Sequence, residues 1–344
     1  MRMAVKSVSG SDSESPASRR PQGMRVVQWA QHPGPVGGVT RCVEDLTSAV
    51  RAAGHEVRYV DTGSPARAVR ALMGALPGLW RRRCLHLFHI TRVWRAIVLA
   101  PLFAVLPGRT VLVLHSGAVQ RQVEAQRPWR ARLLRLSLRA YDQIWAVNAD
   151  IGAALPAHLA GRVHVVSPFV PRPAPGASGP AREPHLISVA TNSGLRHYNA
   201  ALAVDVVHLV RRDWPDARLW ILAYDQDGPD LARLRGSVAD LDWVDLSFNL
   251  TRAQVSAALA RSDVFLRPTD WDGDSVILRE ALAVGTRVVA SDVSSRPEGV
   301  ELSGLGALEM AQAVVRPGRV SDGKGLASLT VADAARAALV EMAG

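Results

Sequence analysis

Short apolar, strand-like runs alternate with helical stretches along almost the whole chain, and a single proline-rich segment interrupts the alternation. The first series places strands at residues 24–29, 56–60, 85–90, 110–114, 143–147 and 163–166, with a Gly-rich turn at 33–38 leading into a helix over about 39–53. Residues 171–184 then read Pro-Arg-Pro-Ala-Pro-Gly-Ala-Ser-Gly-Pro-Ala-Arg-Glu-Pro, a composition that ends regular structure. After it, strands recur at 185–190, 217–223, 243–246, 264–267 and 286–290, with helices at 196–212, 229–235, 251–261 and 275–284. Helical crossovers between successive strands predict parallel sheets covered on both faces. The expected fold is therefore α/β, with two Rossmann-like units facing a central cleft. The expected organisation is a leader at 1–23, an acceptor-side domain at 24–170, a linker at 171–184, a donor-binding domain at 185–315, and a C-terminal segment at 316–344 that ends in a helix.

The composition narrows the partners. At 344 residues and 48% hydrophobic content the chain can build two cores. Cys42 and Cys84 are its only cysteines, which excludes a disulfide framework and a Cys-rich zinc site and points to a cytoplasmic setting. The net charge of +10 suits nucleic acid, an anionic membrane face or phosphorylated ligands. Aromatics make up 5% and do not interleave with the basic residues, so nucleic acid is not an expected partner. The longest apolar run, 97–106, contains Pro101 and is too short to cross a bilayer. Residues 1–23 lack the apolar core of a secretory signal. Residues 127–139 read as a basic amphipathic helix. Either it lies on the inner face of an anionic membrane, as a peripheral contact, or it packs with its arginines solvated.

The richest segment runs from Arg267 to Gly285, Arg-Pro-Thr-Asp-Trp-Asp-Gly-Asp-Ser-Val-Ile-Leu-Arg-Glu-Ala-Leu-Ala-Val-Gly. It predicts a strand, a turn carrying Asp272, and a helix carrying Glu280. The helix start, at Gly273, Asp274, Ser275 and Val276, offers free backbone amides and a partial positive charge to a phosphate. Two carboxylates beside a phosphate would repel it unless they face neutral hydroxyls. A diphosphate flanked by sugar hydroxyls is a nucleotide sugar. A calcium loop built on Asp270, Asp272 and Asp274 fails, because Ser275 stands at its glycine position and Ala281 at its bidentate glutamate position. No metal site is expected, and Ser275 is assigned as an N-cap.

Three further places could carry chemistry. Gly37 and Gly38 let backbone approach a phosphate or sugar, although Gly34, Gly37 and Gly38 do not have dinucleotide-fingerprint spacing. His115 ends an apolar strand and would point into the crevice, whereas His32, His86 and His89 are expected to be structural or solvated. Arg196, between a strand and a helix, could clamp a diphosphate.

Taken in order, Gly37-Gly38, His115, Ser167-Pro-Phe169, Arg196, Asp272 through Glu280 with Ala-Leu-Ala-Val-Gly285, and Arg296-Pro-Glu-Gly-Val300 resemble a family-four glycosyltransferase of the GT-B fold. Asp272 to Glu280 looks like a variant of that family's Glu-x7-Glu signature. The resemblance implies a retaining transfer from a UDP- or GDP-linked sugar to a hydroxyl acceptor, with no cofactor and no bound metal. It implies that Glu280 holds the donor ribose, Asp272 and His115 meet the donor sugar, the amides of 274–276 hold the diphosphate, and Arg196 replaces a phosphate-binding lysine. The chain departs from the pattern at Thr191, where an arginine is usual, at Asp272, shorter than Glu, and at Asp274, which replaces an aromatic. A non-catalytic nucleotide-sugar binder and a nucleotide-sugar epimerase of the same architecture stay open as alternatives.

Overall fold

The computed structural model describes residues 24–31, 37–64, 84–125, 127–170, 181–192, 196–224, 229–318 and 329–343. The expected leader, residues 171–180 of the expected linker, His32, Gly34 and Ser193–Leu195 lie outside these residues.

Two six-stranded sheets, parallel throughout, form the frame. The first contains β1 (Arg25–Ala30), β2 (Glu56–Asp61), β3 (Cys84–Ile90), β4 (Arg109–Leu114), β5 (Gln143–Ala146) and β6 (Val163–Val165) in the order β2-β1-β3-β4-β5-β6. Its helices are α1 (Gly38–Ala52), α2 (Trp94–Phe103), α3 (Val119–Glu124), α4 (Pro128–Ser137) and α5 (Ala149–Ala153). The second sheet contains β7 (Leu186–Asn192), β8 (Arg218–Tyr224), β9 (Val244–Phe248), β10 (Val264–Arg267), β11 (Arg287–Ser291) and β12 (Val300–Ser303) in the order β12-β11-β10-β7-β8-β9. Around it lie α6 (Ala200–Val210), α7 (Pro229–Val238), α8 (Arg252–Arg261), α9 (Val276–Ala283) and α10 (Ala307–Val315), and the described chain ends in α11 (Val331–Ala343).

The inner strands are buried on both faces, which is why they read as continuous apolar runs. Every residue of β1, β3, β10 and β11 is buried. In both sheets the order reverses beside the first strand of the series, at β1–β3 and at β7–β10, and those reversals leave crevices at the carboxyl ends of the strands.

Three elements differ from the expectation, among them α10, for which no helix was expected at 307–315. The strand β12 was not anticipated: at the sheet edge its sequence Val-Glu-Leu-Ser stays half-exposed and shows no apolar run. The helix expected from residue 196 starts instead at Ala200. Arg196–Tyr198 form a 3-10 turn, and Asn199, with φ of 50°, breaks the path between turn and helix.

The last helix crosses back to the first half. Ser167 bridges to the strand end before α11, accepting from the Val331 amide and donating to the Leu329 carbonyl, both at 2.8 Å. Val331, Ala335 and Leu339 then join Val26, Leu46, Leu85 and Val111 in one core. Small alanines on this face let α11 lie close against α1. If the helix is a structural layer of the first half, Leu339→Ala should lower unfolding free energy by about 2–5 kcal/mol in urea titrations. A change below about 0.5 kcal/mol, as for a surface substitution, would mean the helix is a loosely attached tail.

Candidate functional site

The loops that leave the carboxyl ends of β4 and β10 meet backbone to backbone. A Cβ at Gly117 would stand 1.8 Å from the Asp272 carbonyl oxygen, and one at Gly273 would stand 2.4 Å from the His115 carbonyl oxygen. Only glycine permits either approach. Further ties join the halves: Arg252 on α8 makes a bidentate pair with Asp45 on α1 at 2.5 and 2.9 Å. The Ser295 amide and hydroxyl donate to the Asp150 carboxylate at 2.6 and 2.8 Å. Beside this seam, a cleft of about 460 Å3 is lined from both halves by Gly117, Asn148, Asp150, Asp272, Ser295 and Arg296.

Asp272 is gripped by two arginines. Arg267, the last residue of β10, donates from Nε at 2.9 Å and Nη2 at 3.2 Å, and Arg296 adds Nη1 at 2.9 Å. Burial works against the charge of this carboxylate. Attraction to Arg267 and then Arg296, with their hydrogen bonds, outweighs it and holds Asp272 below the ordinary carboxyl range. Asp274, two residues on, goes the other way. Burial pushes its carboxyl up despite the Arg279 Nε at 2.8 Å and the Ser167 hydroxyl at 2.8 Å. Ser275 occupies the N-cap position of α9 with extended backbone, but its side chain makes no capping bond.

Glu280 lies one turn along α9, with 14% of its side chain exposed. Arg41 Nη1 of α1 lies 3.5 Å from its carboxylate and Arg252 Nη2 lies 3.4 Å away. The glycines of the first half stand opposite. Gly37 is the extended N-cap of α1, and a Cβ on Gly38 would lie 3.7 Å from Val276 Cγ2. The starts of α1 and α9 therefore lie next to each other, and neither first turn holds an acidic residue.

His115 Nε2 lies 2.9 Å from His89 Nδ1, and the rings stack at 5.2 Å. Burial depresses His115 to about 4, and burial followed by the neighbouring ring holds His89 well below its usual value, so both are neutral at physiological pH. Cys42, His89 and His115 place potential ligand atoms within 4.8 Å of one another. The thiol is pushed up by burial, then by Asp45 and Asp274, which opposes the thiolate a metal would need. The His89–His115 bond would also have to open, so the trio fits a buried neutral cluster better than a metal centre.

Arg196 stands apart from this seam. It is exposed and, with Thr191, Asn192, Asn199 and Arg233, lines a second cleft of about 450 Å3. Its turn is nevertheless braced on the loop after β10. Asn199 Nδ2 donates to Asp270 at 2.6 Å, the Asp270 amide donates to the His197 carbonyl at 3.0 Å, and His197 stacks on Trp271 at 4.4 Å. Arg121 of the first half covers the Trp271 ring at 4.9 Å.

Of the residues expected at the site, the structure brings His115 against Gly273 and Gly38 against Val276, with Gly37 and Glu280 on the same two helices. Sequence reasoning passed over Arg41, Asp45, Gly117, Arg252, Arg267 and the ion-pairing role of Arg296. Arg267 and Arg296 carried a signal, since both flank the acidic turn, but an arginine-rich chain hides individual arginines.

Residues 183–322 match the family described as Glycosyl transferases group 1. That stretch is similar to the glycosyl transferases of this group. It spans the whole second sheet and both acidic positions. No protein of curated function matches the chain in sequence. Among solved structures, sucrose-phosphate synthase from Thermosynechococcus elongatus is 16% identical with a TM-score of 0.64, over 93% of this chain and 94% of that one. The catalytic domain of starch synthase IV from Arabidopsis thaliana, bound to ADP and acarbose, is 11% identical at a TM-score of 0.63, over 93% and 99%. Anabaena HepE in complex with UDP is 13% identical at 0.63, over 93% and 95%. The two parallel sheets and their flanking helices thus have the GT-B fold.

The Asp272 cluster has a defined acid response. Its folded pKa lies below the unfolded value of about 3.9, so its stabilisation is complete above roughly pH 5 and disappears as pH falls through the folded value. Asp272→Asn leaves two buried guanidinium groups underpaired and should cost about 3–5 kcal/mol near neutral pH. In urea titrations that deficit should shrink as the wild type is acidified. A deficit constant from neutral pH to the acid limit would show that Asp272 does not titrate as an ion-paired group.

Proposed function

We propose that this chain is a retaining glycosyltransferase, of hexosyltransferase type, that moves a sugar from a UDP- or GDP-linked donor to a hydroxyl acceptor in glycan, glycolipid or secondary-metabolite synthesis. The observation that carries this reading is the adjacent pair of helix N-termini, α1 at Gly37–Gly38 and α9 at Ser275–Val276, with Glu280 one turn further along. Two positive helix ends directed at one locus favour a dianionic group, and no carboxylate stands in either first turn to compete with it. Glu280 is set back far enough to accept hydrogen bonds from a vicinal diol next to that anion. The group 1 domain in the same half supports a nucleotide-sugar donor.

In the transfer, the acceptor oxygen bonds to the anomeric carbon as the bond to the diphosphate breaks. The acceptor proton passes to a diphosphate oxygen on the same face, which retains configuration. Amides at the starts of α1 and α9 stabilise the leaving charge, which grows in the transition state. His115, neutral at working pH, serves as a hydrogen-bonding contact to the sugar and not as a proton donor. Arg196, on the turn braced on Asp270, lines the neighbouring cleft and would have to swing toward the helix starts to meet the diphosphate. The contact between Gly117 and Asp272 closes the two halves over the donor and excludes water.

The engagement of Asp272 by Arg267 and Arg296 favours one second reading, a protein that binds the nucleotide sugar without transferring it. Release of UDP or GDP from a panel of donors, measured alongside donor-induced thermal shifts, separates the two. Transfer or hydrolysis supports the first, and a shift without release supports the second. Glu280→Ala should abolish transfer with an unchanged melting temperature in the absence of donor. Arg196→Ala should weaken donor binding by about 1.5–3 kcal/mol, roughly tenfold to a hundredfold. Wild-type turnover in the Glu280 variant would remove this site from the reaction.

A further inference from the structure

The first half exposes apolar surface in an ordered way that its core does not explain. On α2, Ala96, Ala100 and Phe103 are buried, while Trp94, Val98 and Pro101 recur at helical spacing on the opposite, exposed side, and the exposed Val105 follows in the turn just beyond. A helix that is apolar on all sides is ordinarily enclosed by protein. The neighbouring α4, which packs against α2, repeats the pattern. It begins with Pro128 in its first turn, buries Leu134 and Ser137, and exposes Trp129, Leu133 and Leu136 at positions i, i+4 and i+7. Trp94 is 51% exposed and Trp129 is 57% exposed.

Charge surrounds these stripes with one sign. Between Thr91 and Arg139 the chain carries nine arginines and a single acidic residue, Glu124. On α4 the exposed Arg130, Arg132 and Arg135 alternate with the exposed apolar side chains, and Arg139 follows just beyond the helix. Each exposed tryptophan has a guanidinium over its ring, Arg95 at 5.9 Å from Trp94 and Arg130 at 5.1 Å from Trp129. No helix among the described residues is long and apolar enough to cross a membrane.

We infer that the outward face of α2 and α4 docks on an anionic lipid bilayer. Indole rings settle at the level of the headgroups, the aliphatic side chains enter the acyl boundary, and arginines reach back to lipid phosphates. A second copy of the chain is a poor occupant, because face-to-face pairing would set arginines against arginines. Both helices start toward the carboxyl end of the first sheet. The first follows β3 directly, and the second runs back toward the start of β5. The two tryptophans therefore lie toward the cleft end, which suits a catalyst acting on a hydroxyl borne by a lipid. That last consequence rests on the transferase reading, whereas the docking does not.

The test uses the full chain without donor, so its outcome is independent of whether transfer occurs. Vesicles of phosphatidylcholine alone, or with about one third phosphatidylglycerol, are sedimented with the protein at low and high salt. The protein should pellet with the anionic vesicles only, and the bound fraction should drop several-fold as salt rises from about 0.05 M to about 0.5 M. Trp94→Ser with Trp129→Ser, and separately Arg130→Gln with Arg132→Gln and Arg135→Gln, should each reduce pelleting several-fold. Their circular dichroism and melting temperature should stay those of the wild type, since all five side chains are exposed. Bilayers with brominated acyl chains should quench wild-type emission, a check that needs no variant. Equal pelleting with neutral vesicles, full binding by the tryptophan variant, or absence of quenching would overturn the inference. So would a dimer in solution that the tryptophan changes dissociate, because a second copy would then cover this face.

Discussion

Contact between the two halves depends on backbone meeting backbone. The loop after β4 and the loop after β10 come so close at Gly117 and Gly273 that any side chain there would overlap a carbonyl oxygen of the other half. That approach brings His115 against the turn of Gly273 and sets the start of α1 against the start of α9. Surface ion pairs could not specify such a geometry, since each contributes little and tolerates movement. Steric exclusion at two glycines specifies it closely, because a misfit of a few tenths of an ångström is already costly.

Around this seam the charges serve different ends. Asp272, held by Arg267 and Arg296, keeps its charge in spite of burial and ties the loop after β11 to the loop after β10. Asp274 pins the α9 start to Ser167, whose amide and carbonyl also hold the strand end before α11. One serine thus links the start of α9 to the terminal helix of the chain. Glu280 differs from both. Its arginine neighbours Arg41 and Arg252 stand at 3.5 and 3.4 Å, against 2.5 and 2.9 Å in the bidentate pair between Arg252 and Asp45.

The first half carries a second kind of information on its outer face. Its helices cover the sheet as in any parallel α/β layer, yet α2 and α4 also hold apolar stripes away from the sheet, and neighbouring residues are basic. The second half shows no matching arrangement among its described residues: Leu302, Leu305 and Leu308 are exposed near one edge, without a comparable run of arginines. The asymmetry fits a division of labour in which one half faces a surface and the other holds a small ligand.

Much of this was readable from local pattern. Apolar runs in β1, β3, β4, β7 and β11 and their intervening helices dictated two parallel layers, because a strand buried on both faces must be apolar throughout. The acidic turn before α9 and the paired glycines before α1 were visible for the same reason: a helix start has a local signature. Edge strand β12 escaped because half-exposed strands carry mixed residues, and the true start of α6 escaped because a left-handed Asn199 leaves no mark in hydrophobic periodicity. What the chain could not disclose by itself is which groups meet across the cleft. The partnership of Asp45 with Arg252 joins the two halves over 207 positions, and those of His89 with His115 and of Asp272 with Arg296 join separate elements within one half. In a chain with so many arginines, spacing cannot say which one faces a given carboxylate. Only the tertiary packing selects the pair, because ion pairing acts over a few ångströms of space and not along the sequence.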